Sequence, residues 1–142
     1  MRGPSEVCVD ANLVIRYTGI RKTAASAELW KRWVQDRPTL HAPALLKYEV
    51  INGIHRMRAA RLLSTEDSGR ALTRAFRLPI VMHNDDALHM RAFQLASDHG
   101  LPATYDAHYL ALAERLGVDF WTTDARLAKA VGDRLPWVRL VA

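Results

Sequence analysis

Four carboxylic acids of this chain lie at positions that a fold of parallel strands and helices would bring together. Asp10 comes directly after the apolar run 7–9, and Asp124 follows the segment 120–123. Crowded carboxylates repel one another and need a counter-charge, and oxygen ligands favour Mg²⁺ or Mn²⁺ over zinc. Such a cation polarises a phosphoryl oxygen and activates water, which is the chemistry of phosphodiester hydrolysis. The candidate residues for this chemistry are Asp10, Glu49, Asp106 and Asp124.

Each acid also has a structural explanation of its own. An aspartate between a strand and a helix commonly caps the helix, which would account for Asp10. The helix dipole favours acids in the first turn, which would account for Asp106 and Asp124. Glu49 is compatible with a solvated helix face. Capping does not explain why one acid falls at each expected place around the same rim of a sheet.

The elements that must position these acids form an alternating pattern of short apolar runs and longer helical stretches. Strands are predicted at 6–10, 38–42, 78–82, 118–122 and 137–141. Helices are predicted at 11–17, 23–35, 44–59, 64–76, 85–99, 104–116 and 124–131. This alternation is typical of an α/β fold with a mainly parallel sheet, in which ligands lie beyond the carboxyl ends of the strands.

Local signals refine the helix that carries Glu49 and the helix that follows it. Pro43 is expected to open the helix 44–59 at its first turn, and Ser64 is expected to cap the next helix. A glycine inside a helix, such as Gly53, lowers helix stability by about 1 kcal/mol relative to alanine, so its presence calls for a structural or functional explanation. We expect Gly53 to leave open space above the Glu49 carboxylate, where a metal or a substrate could approach.

The composition predicts a single cytoplasmic domain over residues 1–142. Hydrophobic residues make up 49% of the chain and charged residues 25%, which is typical of a globular protein. No apolar run is long enough to span a bilayer, and the first residues lack the apolar stretch of a signal peptide. The single cysteine, Cys8, excludes an intramolecular disulfide and a cysteine-based zinc site.

The chain is basic, with a formal charge of +5, and arginine predominates among its basic residues. Arginine binds phosphate through a planar fork, so a nucleic-acid partner is one interpretation, and genomic base composition is the other. A track for RNA phosphates is predicted at Arg56, Arg58 and Arg61. A second helical face, equally compatible with simple solvation, carries Arg70, Arg74 and Arg77. Aromatic residues that could stack bases, or else pack in the core, are Tyr48, Tyr105 and Trp121.

Four segments taken together resemble the PIN domain, and most closely its VapC-type toxin branch. Segment 7–12 has the family's apolar residues followed by Asp-x-Asn, with Asp10 and Asn12 at those positions. The family then has a glutamate on an early helix, a Tyr-Asp-Ala helix opening and a closing Thr-x-Asp. These later motif positions are matched, in the same order, by Glu49, Asp106, Thr122 and Asp124. The resemblance spans nearly the whole chain.

The resemblance implies a three-layer α/β/α domain that acts as a magnesium- or manganese-dependent endoribonuclease with one or two ions. Asp10 and Asp106 would be direct metal ligands. Asp124 would be a ligand or would orient a bound water, and Glu49 would hold a second metal or position the attacking water. Residues expected to support these ligands through hydrogen bonds are Asn12 and Thr122.

The resemblance also implies partners. The protein would be the toxin of a toxin–antitoxin pair, with single-stranded or loop RNA as its substrate. A cognate antitoxin would fill the groove and block the acids, often with an arginine, and the toxin would form a homodimer. Apolar candidates for the antitoxin or dimer surface are Trp30, Trp33 and Met57. Core packing is the alternative for Trp30 and Met57.

Other functions compete with this interpretation. A receiver-like signalling module would use Asp10 as a phospho-acceptor, but it needs an adjacent acidic pair and a late lysine, which this chain lacks at those places. A phosphatase with a nucleophilic aspartate wants a second aspartate two residues on, where Asn12 stands. A PIN domain that acts on DNA remains open, because the metal chemistry is indifferent to the 2′-hydroxyl.

Overall fold

The computed structural model describes residues 3–142, which fold into five strands and seven α-helices. The strands are β1 (Glu6–Val9), β2 (Thr39–Pro43), β3 (Ile80–His83), β4 (Phe120–Thr122) and β5 (Val138–Leu140). The helices are α1 (Ala11–Tyr17), α2 (Ala24–Asp36), α3 (Leu45–Ala59), α4 (Thr65–Phe76), α5 (Asp86–Asp98), α6 (Tyr105–Leu116) and α7 (Ala125–Val131). The predicted α/β class is confirmed, and the predicted element boundaries differ from these by a few residues at most.

The five strands form one sheet in the order β3-β2-β1-β4-β5, and every neighbouring pair is parallel. β1 lies at the centre, with Cys8 in register with His41 of β2 and with Phe120 of β4. The carboxyl ends of β1 and β4 therefore lie side by side. The next backbone step holds them together, since the Asp10 amide donates to the Trp121 carbonyl at 3.2 Å.

Helices cover both faces of the sheet, which gives the expected three layers. Helices α1, α3 and α4 pack against one another, α2 packs on α1, and α5 pairs with α6. The central strand is wholly buried from Val7 to Val9. Helix α6 is buried over most of its length, and its Tyr109 ring stacks on Phe120 of β4 with 5.3 Å between ring centroids.

Two expectations for α3 are wrong. Pro43 does not open the helix; it is the last residue of β2, where it pairs in register with His83, and α3 begins at Leu45. Gly53 does not leave open space, because a Cβ at that position would lie 2.9 Å from the Ile15 side chain. The glycine instead allows α1 and α3 to approach closely.

The apolar residues predicted for a partner surface are part of the core. Trp30, Trp33 and Met57 are each only 7% exposed. The Trp30 indole nitrogen donates to the Leu13 carbonyl at 3.0 Å, and its ring packs edge-on against Trp33. The large apolar side chains that do reach the surface include Met90 and Phe93 on α5. In the part of the chain described, no helix has the length and apolar character needed to cross a bilayer.

Candidate active site

Asp10 lies at the carboxyl end of β1, and protein groups satisfy both of its carboxylate oxygens. Oδ1 accepts a hydrogen bond from the Leu13 amide at 2.7 Å, which caps α1. Oδ2 accepts from the Thr122 hydroxyl at 2.8 Å and from the Thr123 amide at 2.9 Å. Asp10 is therefore a helix cap, as the structural explanation had it, and it is also tied to the end of β4.

Burial raises the pKa of Asp10 above its ordinary value, although the hydrogen bonds from Thr123, Leu13 and Thr122 oppose the shift. The side chain is only 8% exposed, so the charged form is poorly solvated. Arg16 lowers the pKa through its charge, yet its guanidinium donates to Thr23 and to the Ala142 carbonyl and forms no ion pair with Asp10. No cationic side chain contacts this carboxylate in residues 3–142.

Glu49 projects from α3 towards α6, where it meets Tyr109. The Tyr109 hydroxyl donates to Glu49 Oε1 at 2.7 Å. Burial raises the pKa of Glu49, the tyrosine hydrogen bond lowers it, and the charges of Asp106 and Asp10 raise it further. The repulsion by both aspartates places Glu49 in the same electrostatic cluster as the residues at the strand ends.

Asp106 and Asp124 complete this cluster. Asp106 stands in the first turn of α6, and its pKa is raised by partial burial and then by the charges of Asp124 and Asp10. Asp124 caps α7, with its Oδ1 accepting from the amides of Arg126 and Leu127 at 3.0 and 3.1 Å. Charge interactions thus link Glu49 with Asp106 and Asp10, and Asp106 with Asp124 and Asp10, so Asp124 joins the cluster through Asp106.

Thr122 connects two of the acids, and Asn12 connects none. The buried Thr122 hydroxyl donates to Asp10 and accepts from the Asp124 amide at 3.0 Å, so one side chain couples the ends of β1 and β4. Asn12 is exposed, and its side chain makes no hydrogen bond to any of the four acids. Of the two residues predicted to support the acids through hydrogen bonds, Thr122 therefore does so and Asn12 does not.

The donor set suits a hard divalent cation. All the candidate ligands are carboxylate oxygens. Desolvation raises the pKa of Asp10, Glu49 and Asp106, and repulsion by other acids of the cluster raises it further at Glu49 and Asp106. Across residues 3–142, no three acidic, histidine or cysteine side chains are already arranged as a metal-binding group. Magnesium typically takes one or two carboxylates and completes its shell with water and substrate phosphate, so the residues present fit it.

The basic residues and the two tyrosines predicted for RNA lie on the outer surface, whereas the predicted tryptophan does not. Arg56, Arg58 and Arg61 are exposed along the end of α3 and the turn after it. Tyr48 and Tyr105 are 76% and 66% exposed, each one residue before an acid of the cluster. Trp121 is partly buried and packs edge-on against Trp33, so it belongs to the interior.

Tyr109 is the site residue that sequence reasoning missed. It stands three residues after Asp106 on α6, so both side chains lie on one side of that helix. That spacing is the only sequence signal available, because its partner Glu49 is 60 residues away in the chain. Its buried hydroxyl has a raised pKa, caused by burial and by the charge of Glu49, and therefore remains a donor at neutral pH.

Comparisons with known proteins show which family this chain resembles. A family model described as the PIN domain matches residues 7–132. The chain is 32% identical over 130 residues to ribonuclease VapC3 of Mycobacterium tuberculosis, a match that covers 89% of this chain and 88% of that protein.

Two solved structures share the fold. A toxin–antitoxin complex from Klebsiella pneumoniae superposes with a TM-score of 0.62 at 18% identity, over 94% of this chain and 95% of that one. VapC20 of Mycobacterium tuberculosis, described as a toxin that cleaves the sarcin–ricin loop, gives a TM-score of 0.63 at 14% identity, over 88% and 95%.

Proposed function

This chain belongs to the PIN-domain family and to its VapC-type ribonuclease branch, and from that premise we propose that it is a magnesium-dependent endoribonuclease. Its four acids, Asp10, Glu49, Asp106 and Asp124, form the catalytic site. The observation that carries the proposal is the position of Asp10, which is buried at the carboxyl end of β1, accepts hydrogen bonds from Thr122 and Thr123 at the end of β4, and contacts no cationic side chain among residues 3–142. The raised carboxyl pKa values at Asp10, Glu49 and Asp106 support it. Carboxylates that are poorly solvated, as Asp10 is, or that are repelled by neighbouring acids, as Glu49 and Asp106 are, favour a bound cation, since a cation restores their charged form.

The fixed parts of the site orient the reacting groups. Asp10 is held by three hydrogen bonds, so its lone pairs point in set directions. Tyr109 occupies one oxygen of Glu49 and leaves the other free for a ligand or a water. A bound divalent cation supplies Lewis acidity and lowers the pKa of water. Asp10 and Asp106 would act as ligands of such a cation, Asp124 would be a ligand or orient a bound water, and Glu49 would position the attacking water or hold a second ion.

RNA is the proposed substrate because curated relatives are named ribonucleases, and VapC20 is described as cleaving an RNA loop. The scissile strand must reach carboxylates at the carboxyl ends of the strands, which favours single-stranded or loop RNA over a duplex. A basic chain with exposed Arg56, Arg58 and Arg61 beyond the acids supplies the charge to attract it. DNA cleavage is the alternative, and the same assay with single-stranded DNA separates the two.

The proposed function includes two protein partners. The Klebsiella complex supports a cognate antitoxin, which would insert a cationic side chain among the acids and so replace the metal as their counter-charge. A homodimer needs an apolar surface. Met90 and Phe93, exposed at 63% and 66% on α5, supply that surface in place of the buried tryptophans.

The test is cleavage of mixed cellular RNA by the purified chain in Mg²⁺, in EDTA and as the Asp10→Asn variant. We expect the wild-type protein to cleave RNA in Mg²⁺, and we expect no cleavage in EDTA or by the Asp10→Asn variant. Folded wild-type protein that is free of antitoxin and cuts neither RNA nor DNA would overturn the proposal. Cleavage that persists in EDTA would refute the metal dependence that the proposal includes.

A further inference from the structure

A groove of about 510 Å³ opens between α3 and α4, and none of the four acids lines it. Asn52 lines it and stands three residues after Glu49, so the two side chains lie on the same side of α3. Arg58 lines its far part, and the helical rise puts Arg58 about 14 Å beyond Glu49 along the axis of α3. The groove therefore leads away from the site where the scissile bond would lie.

The walls of this α3–α4 groove combine the features that a nucleotide requires. Apolar side chains line part of it, which suits the faces of a base, and the Thr65 hydroxyl offers a partner for its edge. The Ser68 hydroxyl is buried and donates to the Ser64 carbonyl at 2.7 Å. The apolar and hydroxyl residues are Ile51, Ile54, Leu72, Thr65 and Ser68. No acidic residue lines the groove, so its charge favours an anionic occupant.

Arg58 is available for a phosphate. Its guanidinium contacts the His55 ring, with 3.0 Å between Nη2 and Nδ1, and it forms no ion pair with a carboxylate among the described residues. Arg70 on α4 differs, because it pairs with both Glu66 and Asp67. A guanidinium without a carboxylate partner keeps its planar fork free for phosphate oxygens.

Gly69 leaves one wall of the groove without a side chain. A glycine inside a helix costs about 1 kcal/mol relative to alanine. A Cβ at Gly69 would meet nothing within 4 Å, whereas a Cβ at Gly53 would collide with Ile15. Packing therefore explains Gly53 but not Gly69, and Gly69 lines the groove.

Tyr48 stands between the acids and the groove. It directly precedes Glu49, it is 76% exposed, and its ring packs against no other aromatic ring in the described part of the chain. Ile51 and Asn52 follow it by three and four residues, so Tyr48 lies on the helix face that borders the groove. A solvent-exposed ring at this place is a platform for an unpaired base.

We propose that the α3–α4 groove is a nucleotide subsite, in which an unpaired base of the RNA lies against the apolar wall while Arg58 binds its phosphate. Tyr48 stacks on the neighbouring base, on the side of the acids. The inference rests on the proposed ribonuclease function and adds to it a substrate subsite that selects for single-stranded RNA. It also explains why α4 carries an unshielded glycine at residue 69.

The test measures binding without cleavage, as the fluorescence anisotropy of a short labelled single-stranded RNA of mixed sequence in EDTA. We expect Gly69→Leu to weaken binding about tenfold or more by filling the groove, while Gly69→Ala changes it little. Leucine has the higher helix propensity, so a maintained or raised melting temperature shows that Gly69→Leu is folded. Tyr48→Leu should weaken binding, whereas Tyr48→Phe should bind like the wild type.

Arg58→Gln tests the phosphate contact. It should weaken binding about tenfold and lower the slope of log affinity against log salt by about 0.7, the value for one contact to a single strand. The matched control is Arg32→Gln, which removes the same charge from an exposed position on α2 that lines neither the groove nor the acid cluster. Arg32→Gln should leave the affinity and the slope nearly unchanged.

The results separate the subsite from the proposed function. If the wild type cleaves RNA and Asp10→Asn does not, but folded Gly69→Leu and Arg58→Gln bind RNA like the wild type, the subsite is refuted and the nuclease stands. If those variants bind RNA normally and lose only an antitoxin, the groove is a protein interface and the proposal is again refuted. If the wild type neither binds nor cleaves RNA, the subsite and the ribonuclease fall together.

Discussion

Two sets of carboxylates in this molecule have pKa values displaced in opposite directions. In the acid cluster, burial raises the pKa of Asp10, Glu49 and Asp106, and repulsion among the acids raises it further at Glu49 and Asp106. Between α5 and α6, hydrogen bonds from arginines lower the pKa of Asp85 and Glu114. Both sets lie in a chain with a formal charge of +5, so a shortage of cations does not explain the difference.

The α5–α6 carboxylates have dedicated partners. Arg115 reaches Asp85 with both terminal nitrogens, at 2.7 and 2.8 Å, and Arg91 reaches Glu114 with two nitrogens, at 2.6 and 3.0 Å. Such two-point pairs are the strongest form of the arginine–carboxylate contact. In the cluster, neutral donors take this place, namely a threonine, a tyrosine and backbone amides. The comparison teaches that no cationic side chain among the described residues neutralises the cluster, which is what the proposed metal site requires.

The largest expected effect is at Asp10. Asp10→Asn should reduce RNA cleavage by about three orders of magnitude or more, as the loss of a central catalytic group does. The asparagine side chain keeps one oxygen, which can accept from the Leu13 amide, while its NH₂ group faces the Thr123 amide, which is also a donor. The melting temperature should therefore fall, while the far-ultraviolet circular dichroism should match that of the wild type. A folded Asp10→Asn protein that cleaves at the wild-type rate would remove Asp10 from the site.

A smaller loss is expected at Tyr109. Tyr109→Phe keeps the stacking on Phe120 but removes the hydrogen bond to Glu49. Metal affinity, measured as the Mn²⁺ concentration that half-saturates cleavage, should fall about 10- to 100-fold, as it does when a partner of a ligand is lost. The matched control, Tyr105→Phe, changes an exposed tyrosine of the same helix and should leave that concentration unchanged.

Relief of repulsion within the cluster should stabilise the protein when metal is absent. The ordinary pKa of Asp106 is 3.8, and in the folded protein it is raised. At pH values above 3.8, the metal-free native state therefore binds more protons than the unfolded state. Stability in EDTA should therefore fall as the pH rises through the raised pKa values. Asp106→Asn should weaken this fall and raise the thermal midpoint at pH 7. The gain should stay below about 1 kcal/mol, since Asp106 is partly solvated.

The outcome that would contradict this expectation is a metal-free Asp106→Asn protein less stable than the wild type at pH 7. Such a result would mean that Asp106 is stabilised as an anion by the helix dipole alone, as an ordinary first-turn acid is. Addition of Mg²⁺ offers a second readout. It should raise the thermal midpoint of the wild type more than that of the variant.

The smallest effect is expected between α5 and α6, with the opposite dependence on pH. Because the pKa of Asp85 is lowered, its pair with Arg115 stabilises the native state above the ordinary value of 3.8, and this contribution is lost as the pH falls. Arg115→Gln should lower the thermal midpoint slightly at pH 7, because the pair is solvent-exposed, and by less at acid pH. Cleavage should not change.

The elements of this fold could be predicted where the signal is local. Thr23, Ser64, Asp85 and Asp124 all cap helices through their side chains, and each stands just before a helical pattern in the sequence. Alternating strands and helices fix the parallel sheet, and the sheet fixes the rim on which the acids meet. Much of the candidate site could therefore be predicted, because motif positions and strand ends coincide.

What could not be predicted depends on contacts distant in the chain. Gly53 and Gly69 are both glycines inside helices, and only the packing of Ile15 against one of them tells them apart. Trp33 and Met57 looked available for a partner because helical spacing does not say which neighbours cover a face. Pro43 suits a helix start as well as a strand end, and the pairing of β2 with β3 decides between them.

The most direct test of this account is a calorimetric titration of Mn²⁺ and Mg²⁺ into the RNA-free protein at pH 7, for the wild type, Asp10→Asn and Arg115→Gln. The account predicts saturable binding to the wild type and to Arg115→Gln, and binding that is lost or strongly weakened in Asp10→Asn. Equal binding by the wild type and a folded Asp10→Asn protein would contradict it. So would the absence of binding to the wild type, because the repelling carboxylates would then have no cation to hold.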